Sequence, residues 1–264
     1  GVLKGMRWAA GLDTANSNPN PAKVLNLSLG GEGACYPSMQ DVISEIAAKN
    51  VTIVTAAGNG DQFGNPQPAE NFSPGNCDKV INVAATNRNG DMARYSNYSE
   101  KLIDIAAPGG ETAYFGDPNG ILSTHAPDSY DFLQGTSMAA PHVTGVVALM
   151  LSINSELNHD KVAQYLRQGA RGKVFGSGIV DAYKTLQLVK GEAPTDPTDP
   201  TDPSDPTDPT DPTDPTDPTD PSDPTDPSNP TDAIKIENNV SYRDISGKRS
   251  EERRVGKECL RLCR

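Results

Sequence analysis

Three short apolar runs limit what this chain can fold into. They are KVLNLSL (Lys23–Leu29), VTIVTAA (Val51–Ala57) and KVINVAA (Lys79–Ala85). The second and third are nearly continuous and read as strands buried on both faces, and the first, with Val24, Leu25, Leu27 and Leu29, also reads as a buried strand. The first two stop on Gly30-Gly31 and Gly58-Asn59-Gly60. Strands of this kind belong to a mostly parallel sheet with helices on both faces, and helix-period segments lie between them. Val2–Leu12 places Val2, Leu3, Met6, Ala9 and Ala10 on one face, and Asp13–Ala22 reads as a loop. Pro37–Lys49 does the same with Val42, Ile43, Ile46 and Ala47, with Ser38-x-x-Asp41 as a start signal. Leu102–Ala106 reads as a short fourth strand, followed by an irregular stretch to Gln134. Further helices are expected after Gly135, over Asp160–Gln168 and over Ala182–Val189. About 190 residues suffice for one core of this α/β class.

The folded part is expected to end near residue 193. Residues 194–232 repeat Thr-Asp-Pro or Ser-Asp-Pro, with twelve Asp and no Lys or Arg. Proline at every third position blocks both helix and sheet bonding, and nothing apolar is present to bury. The expectation is an extended tether, at most on the order of 120 Å long. It carries most of the net charge of −12, so the acidic balance says little about the folded part. No basic stripe points to nucleic acid. The apolar stretch after Ser137 reads as too short to span a membrane.

The chemistry-bearing segment is GTSMAAPHVTG, Gly135–Gly145, which runs into VVALMLSI. A small-residue turn followed by a serine on the first turn of an apolar helix presents a nucleophile. Unpaired N–H groups and the positive helix end lie beside it. The bland reading is a Gly-Thr-Ser helix cap, which does not call for the string through Pro141 and His142. The eleven residues closely resemble the serine motif of the subtilisin-like serine proteases. The resemblance implies a subtilisin-like fold, a catalytic Ser137, and an oxyanion donor at Asn59 in Ala56-Ala57-Gly58-Asn59-Gly60. It implies substrate held along Ser28, Leu29, Gly30 and Gly31, with Ala57, Gly58 and Thr136 also at the substrate site. The small, uncharged Gly60 suggests a broad preference, with Asp61 beside it favouring basic residues.

The family's base and orienting acid come from Asp-Thr-Gly/Ser-Gly-type and His-Gly-Thr-His-type motifs upstream of the serine. Neither string occurs here. His125, His142 and His159 read as surface or structural residues. The expectation is a partial peptidase domain over residues 1–193, with the Asp and His motifs lying upstream and little activity on its own. The whole would be a secreted bacterial endopeptidase acting on proteins or peptides, with its own propeptide as a further partner. The competing readings are a non-catalytic binding or surface-display module of the same fold, and an esterase. The esterase lacks its Gly-x-Ser-x-Gly elbow, since Met138-Ala139 follow Ser137.

Calcium is expected by the same resemblance. The backbone carbonyls of Asp78 and Val80 with the Asp104 carboxylate line up with a site of the proteinase K-like members, apart from one extra intervening residue. In an exported protein Cys35 and Cys77 form the natural disulfide; two buried thiols is the other reading of the same pair. Ala233–Gly247 alternates Ile234, Ile236, Val240 and Tyr242. It resembles the opening of the β-sandwich called the pre-peptidase C-terminal domain. Residues 233–264 are therefore expected to hold the truncated start of a β domain. Arg249–Arg264 breaks the alternation and is similar to translated vector or adapter read-through.

Overall fold

The computed structural model describes residues 1–172, 174 and 176–192. The tether, the C-terminal β segment and Cys259 and Cys263 lie outside them. In chain order the elements are α1 (Val2–Ala9), β1 (Val24–Leu27), β2 (Gly31–Glu32), α2 (Pro37–Ala47) and β3 (Thr52–Ala56). Next come a 3-10 turn (Ala69–Asn71), β4 (Phe72–Ser73), β5 (Ile81–Thr86), β6 (Ile105–Pro108), β7 (Ile121–His125) and β8 (Ser129–Leu133). The helices α3 (Thr136–Ile153), α4 (His159–Gly169) and α5 (Ala182–Lys190) close the described chain.

The apolar runs do form the sheet. Its order is β1-β3-β5-β6, and every pair is parallel. Alternate residues face opposite layers. Val54, Ile81, Val83, Ala85, Ile105 and Ala107 face α3 and α4. Leu25, Leu27 and Ile53 face α1 and α2 with Met6, Ile43 and Ile46. The helices therefore lie on both faces, as the continuous apolar runs demanded.

Four local expectations are corrected. Helix α2 starts one residue before Ser38, with Pro37 at its first position and no side-chain cap, so Ser38-x-x-Asp41 is not its start signal. The fourth strand is Ile105–Pro108, because the Ser99 hydroxyl accepts from the N–H groups of Lys101 and Leu102 and holds them in a turn. The irregular stretch contains the β7–β8 hairpin, paired from Ile121–Leu133 to His125–Ser129. Finally, α3 reaches 18 residues at a mean hydropathy of 1.4, long and apolar enough to cross a membrane. In the fold it is the central core helix, with Ala139, Ala140, Val143, Val147 and Met150 fully buried against the sheet.

Helix α4 begins with Asn158 as cap, its side chain accepting from the Lys161 N–H at 3.0 Å. His159 follows, with a buried Nδ1 that has no hydrogen-bond partner among the described residues. Burial holds its pKa below the ordinary 6.5, against the pull of Asp160. The unfolded chain therefore takes up this proton first as pH falls. Stability should decline as pH drops below about 6.5, and His159→Gln should flatten that part of the curve. Denaturant midpoints from pH 7.5 to 5 check this; identical slopes in both proteins would refute it.

Candidate active site

The nucleophile turn is built where β6 and β8 end. Gly135 has φ +149°, a conformation side chains rarely adopt, and caps α3. Its N–H donates to Gly109 O at 2.9 Å. The buried Tyr95 hydroxyl donates to the Gly109 and Gly110 carbonyls at 3.0 and 2.6 Å, and burial raises its pKa. The turn is thus fixed to the carboxyl edge of the sheet, where parallel α/β sheets place their sites.

Ser137 sits on the first turn of α3, half-buried. Its Oγ lies 3.4 Å from the Ser28 carbonyl, and its N–H has no acceptor among the described residues. Its carbonyl would normally accept from residue 141, but Pro141 has no N–H. Ser28 Oγ takes that place, donating to Ser137 O at 2.7 Å across 109 positions of sequence. The proline of the serine motif and the serine of Ser28-Leu29-Gly30-Gly31 are therefore one arrangement. Leu29, Gly30 and Gly31 remain exposed beside it.

Asn59 is split in use. Its Oδ1 accepts from the Thr136 N–H at 2.8 Å and from Thr136 Oγ at 2.9 Å. Its Nδ2 has no acceptor among the described residues. The Thr136 hydroxyl in turn accepts from the Gly58 N–H at 3.1 Å. Thr136 is fully buried and fixes Asn59 to the helix start. Ala57 is also buried, its N–H donating to Val83 O at 3.0 Å and its carbonyl accepting from Asn97 Nδ2 at 2.9 Å.

Sequence reasoning passed over Asn97. It is fully buried; its Nδ2 donates to Ala57 O at 2.9 Å, while its Oδ1 accepts from Gly60 N and Gln67 N at 2.9 and 3.0 Å. It shapes the whole Ala57–Gly60 turn. A lone amide in Tyr-Ser-Asn-Tyr gives no signal of this; only partners about 40 residues away reveal it. Asp61 is spent locally as well: its carboxylate accepts from Phe63 N and Asn65 N and from the Asn65 side chain. Those bonds, the Asn65 side chain first, hold its pKa down.

No histidine or carboxylate is bonded to Ser137 Oγ among the described residues. His142 lies along α3 with Nδ1 on the Met138 carbonyl at 2.8 Å. Cys35 and Cys77 are joined as a disulfide, with Cα atoms 5.2 Å apart. The bond ties the segment after β2 to the turn before β5.

The calcium set sits at the opposite edge of the sheet, just before β5 and β6. Asp104 Oδ1 already accepts from Arg167 at 2.8 Å and Oδ2 from Asn82 N at 2.9 Å. Burial raises the Asp104 pKa, opposed by those two partners. The Asp78 carbonyl accepts from Gln40 Nε2 at 3.2 Å. With Arg167 in place, the residues do not fit calcium. No group of three or more His, Cys, Asp or Glu side chains converges on a metal position among the described residues.

The Subtilase family model matches residues 2–204, which spans every residue just described. The chain belongs to the subtilase family. This subtilase chain is 36% identical over 210 residues to an extracellular basic protease of Dichelobacter nodosus, covering 72% of the chain and 32% of that protein. It is 40% identical over 187 residues to an extracellular protease of Xanthomonas campestris, covering 66% of the chain and 30% of that protein. It thus spans about a third of the length of these relatives. Among solved structures, a protease of Pseudoalteromonas arctica superposes with a TM-score of 0.67 at 38% identity, over 71% of this chain and 58% of that one. A cold adapted subtilisin-like serine proteinase gives 0.54 at 28%, over 68% and 58%. The subtilase fold thus accounts for the parallel sheet and for the serine at the start of the helix packed on it.

Proposed function

We propose that this chain carries the nucleophile of a secreted serine endopeptidase that cuts protein peptide bonds through an acyl-enzyme on Ser137. The observation that carries the reading is a pair of donors at the start of α3 with no acceptor among the described residues, the Ser137 N–H and Asn59 Nδ2, with Asn59 Oδ1 locked on Thr136. Ser137 Oγ attacks the scissile carbonyl carbon and gives its proton to a base. The carbonyl oxygen becomes negative and is stabilised by the two donors. The C–N bond breaks as the amine leaves with that proton, and water then releases the acyl group. Substrate backbone lies along Ser28–Gly31 as an added strand, with Gly58 and Asn59 flanking its side chain.

The base and its orienting acid come from residues outside this chain, so the chain alone is inactive. Secretion is supported by the extracellular names of two relatives and by the disulfide. Residues 1–193 would carry the chemistry, 194–232 a tether, and 233–264 the start of a further domain. Its partners would be protein substrates and its own propeptide. The second reading, a non-catalytic module of the same fold, is favoured by the lack of a histidine at Ser137 among the described residues.

A fluorophosphonate probe separates them. The processed protein carrying the upstream segment should be labelled on Ser137, located by peptide mass spectrometry. A folded, processed protein that takes no label has no activated serine, and the peptidase reading fails.

A further inference from the structure

In an Asn-Gly pair the asparagine readily loses its own amide. The glycine nitrogen, once a solvent base has taken its proton, attacks the Asn Cγ, and no Cβ on the glycine hinders it. A new N–C bond closes a succinimide ring as the Cγ–Nδ2 bond breaks and ammonia leaves. Water then opens the ring to aspartate or isoaspartate. This chain carries the pair at Asn59–Gly60, Asn89–Gly90 and Asn119–Gly120. At Asn59 the reaction would remove the Nδ2 donor and leave a carboxylate in its place.

The fold does not admit another residue at 60. Gly60 has φ +81°, and a Cβ there would overlap the Asn65 carbonyl. Burial does not protect Asn59 either, because Asn59 is exposed. Both reacting groups are instead held by hydrogen bonds. Gly60 N–H donates to Asn97 Oδ1 at 2.9 Å, so the attacking nitrogen is engaged by a buried acceptor. Asn97 keeps that position through Nδ2 on Ala57 O at 2.9 Å and its own N–H on Gly58 O at 3.0 Å. Asn59 Oδ1 accepts from Thr136 N and Oγ at 2.8 and 2.9 Å, which ties the Asn59 side chain to the start of α3. Asn89 lacks both restraints. It is exposed, and its side chain has no hydrogen bond among the described residues. Gly90 N–H reaches only the Asn87 carbonyl of its own surface turn, at 3.1 Å.

We propose that Asn97, with Thr136, protects the Asn59 amide from this cyclisation, while Asn89–Gly90 is a site of spontaneous deamidation. The protection does not depend on Ser137 being an active nucleophile. Only its consequence, a longer-lived oxyanion donor, rests on the peptidase reading above.

The test ages the processed protein carrying the upstream segment and Ser137→Ala, which keeps self-cleavage out, at alkaline pH. Peptide mass spectrometry follows each site by its one-unit mass gain. Asn89 should convert while Asn59 keeps its amide, and in urea the two should convert alike. Asn97→Ala, shown to be folded by its urea midpoint, should speed conversion at Asn59 by about tenfold, the upper range for one lost hydrogen bond, and leave Asn89 unchanged. Thr136→Val, which removes the hydroxyl and keeps the shape, should speed it by less, and decides the matter if Asn97→Ala does not fold. Conversion of Asn59 as fast as Asn89 in the folded protein would overturn the proposal, as would an unchanged Asn59 rate in the folded variants. An Asn89 that keeps its amide through the ageing that converts both sites in urea would overturn the deamidation site. With Ser137 restored, activity of Asn97→Ala should fall in step with the mass gain at Asn59. Activity that survives full conversion would refute Asn59 as the donor and leave its protection standing.

Discussion

Ser137→Ala should lower kcat of the processed protein by about a million-fold, with KM nearly unchanged. That size is the one known for removing the nucleophile of subtilisin, a relative of this chain, and is carried over from it. The structure gives a reason to expect no rescue. Ser137 Oγ touches only the Ser28 carbonyl among the described residues, at 3.4 Å, so no second hydroxyl stands in its place. Ser28 Oγ is committed to Ser137 O at 2.7 Å and cannot act as a substitute nucleophile. The alanine also leaves the backbone bond to Ser28 intact, so folding should be unaffected. Progress curves on a peptide substrate, with circular dichroism as the folding control, check both statements. Activity within tenfold of the intact protein would remove Ser137 from the mechanism.

Asn59→Asp should cost about two to three decades in kcat, again a size borrowed from subtilisin. The variant is chosen because Asn59 does two things at once. Its oxygen holds the start of α3 through Thr136 N and Oγ, and its nitrogen has no acceptor among the described residues. Aspartate retains an oxygen for Thr136 but replaces the free donor with an acceptor of negative charge beside the developing oxyanion. Loss of rate with retained thermal stability therefore isolates the donor. Asn59→Ala removes both functions and should lower stability as well, by about 1 kcal/mol for the lost bonds. An Asp variant within threefold of the intact protein in kcat would show that Asn59 only positions the helix.

Much of the sheet was legible before any coordinates. Val51–Ala57 and Lys79–Ala85 carry apolar residues on both faces, as a doubly covered strand does. The β7–β8 hairpin was not legible, since its residues are mostly exposed and carry no burial pattern. Its strands are held by mutual pairing from Ile121–Leu133 to His125–Ser129. The start of α2 misled for a related reason: Ser38-x-x-Asp41 is a good local signal, but Pro37 already supplies a first helical residue. At the far edge of the sheet, Asp104 read as a calcium ligand until Arg167, 63 positions later, was seen to bind it.

The sequence by itself determined that this chain builds a parallel sheet with a serine presented at a helix start, because apolar runs and an eleven-residue motif act through near neighbours. Only the tertiary structure decided how that serine is served. Thr136 is buried to fix Asn59, Ser28 supplies the donor that Pro141 lacks, and Asn97 holds the Ala57–Gly60 turn. Each of these contacts joins positions tens of residues apart or more. Such contacts depend on which buried polar groups and rings meet when the layers close, and no local pattern encodes that.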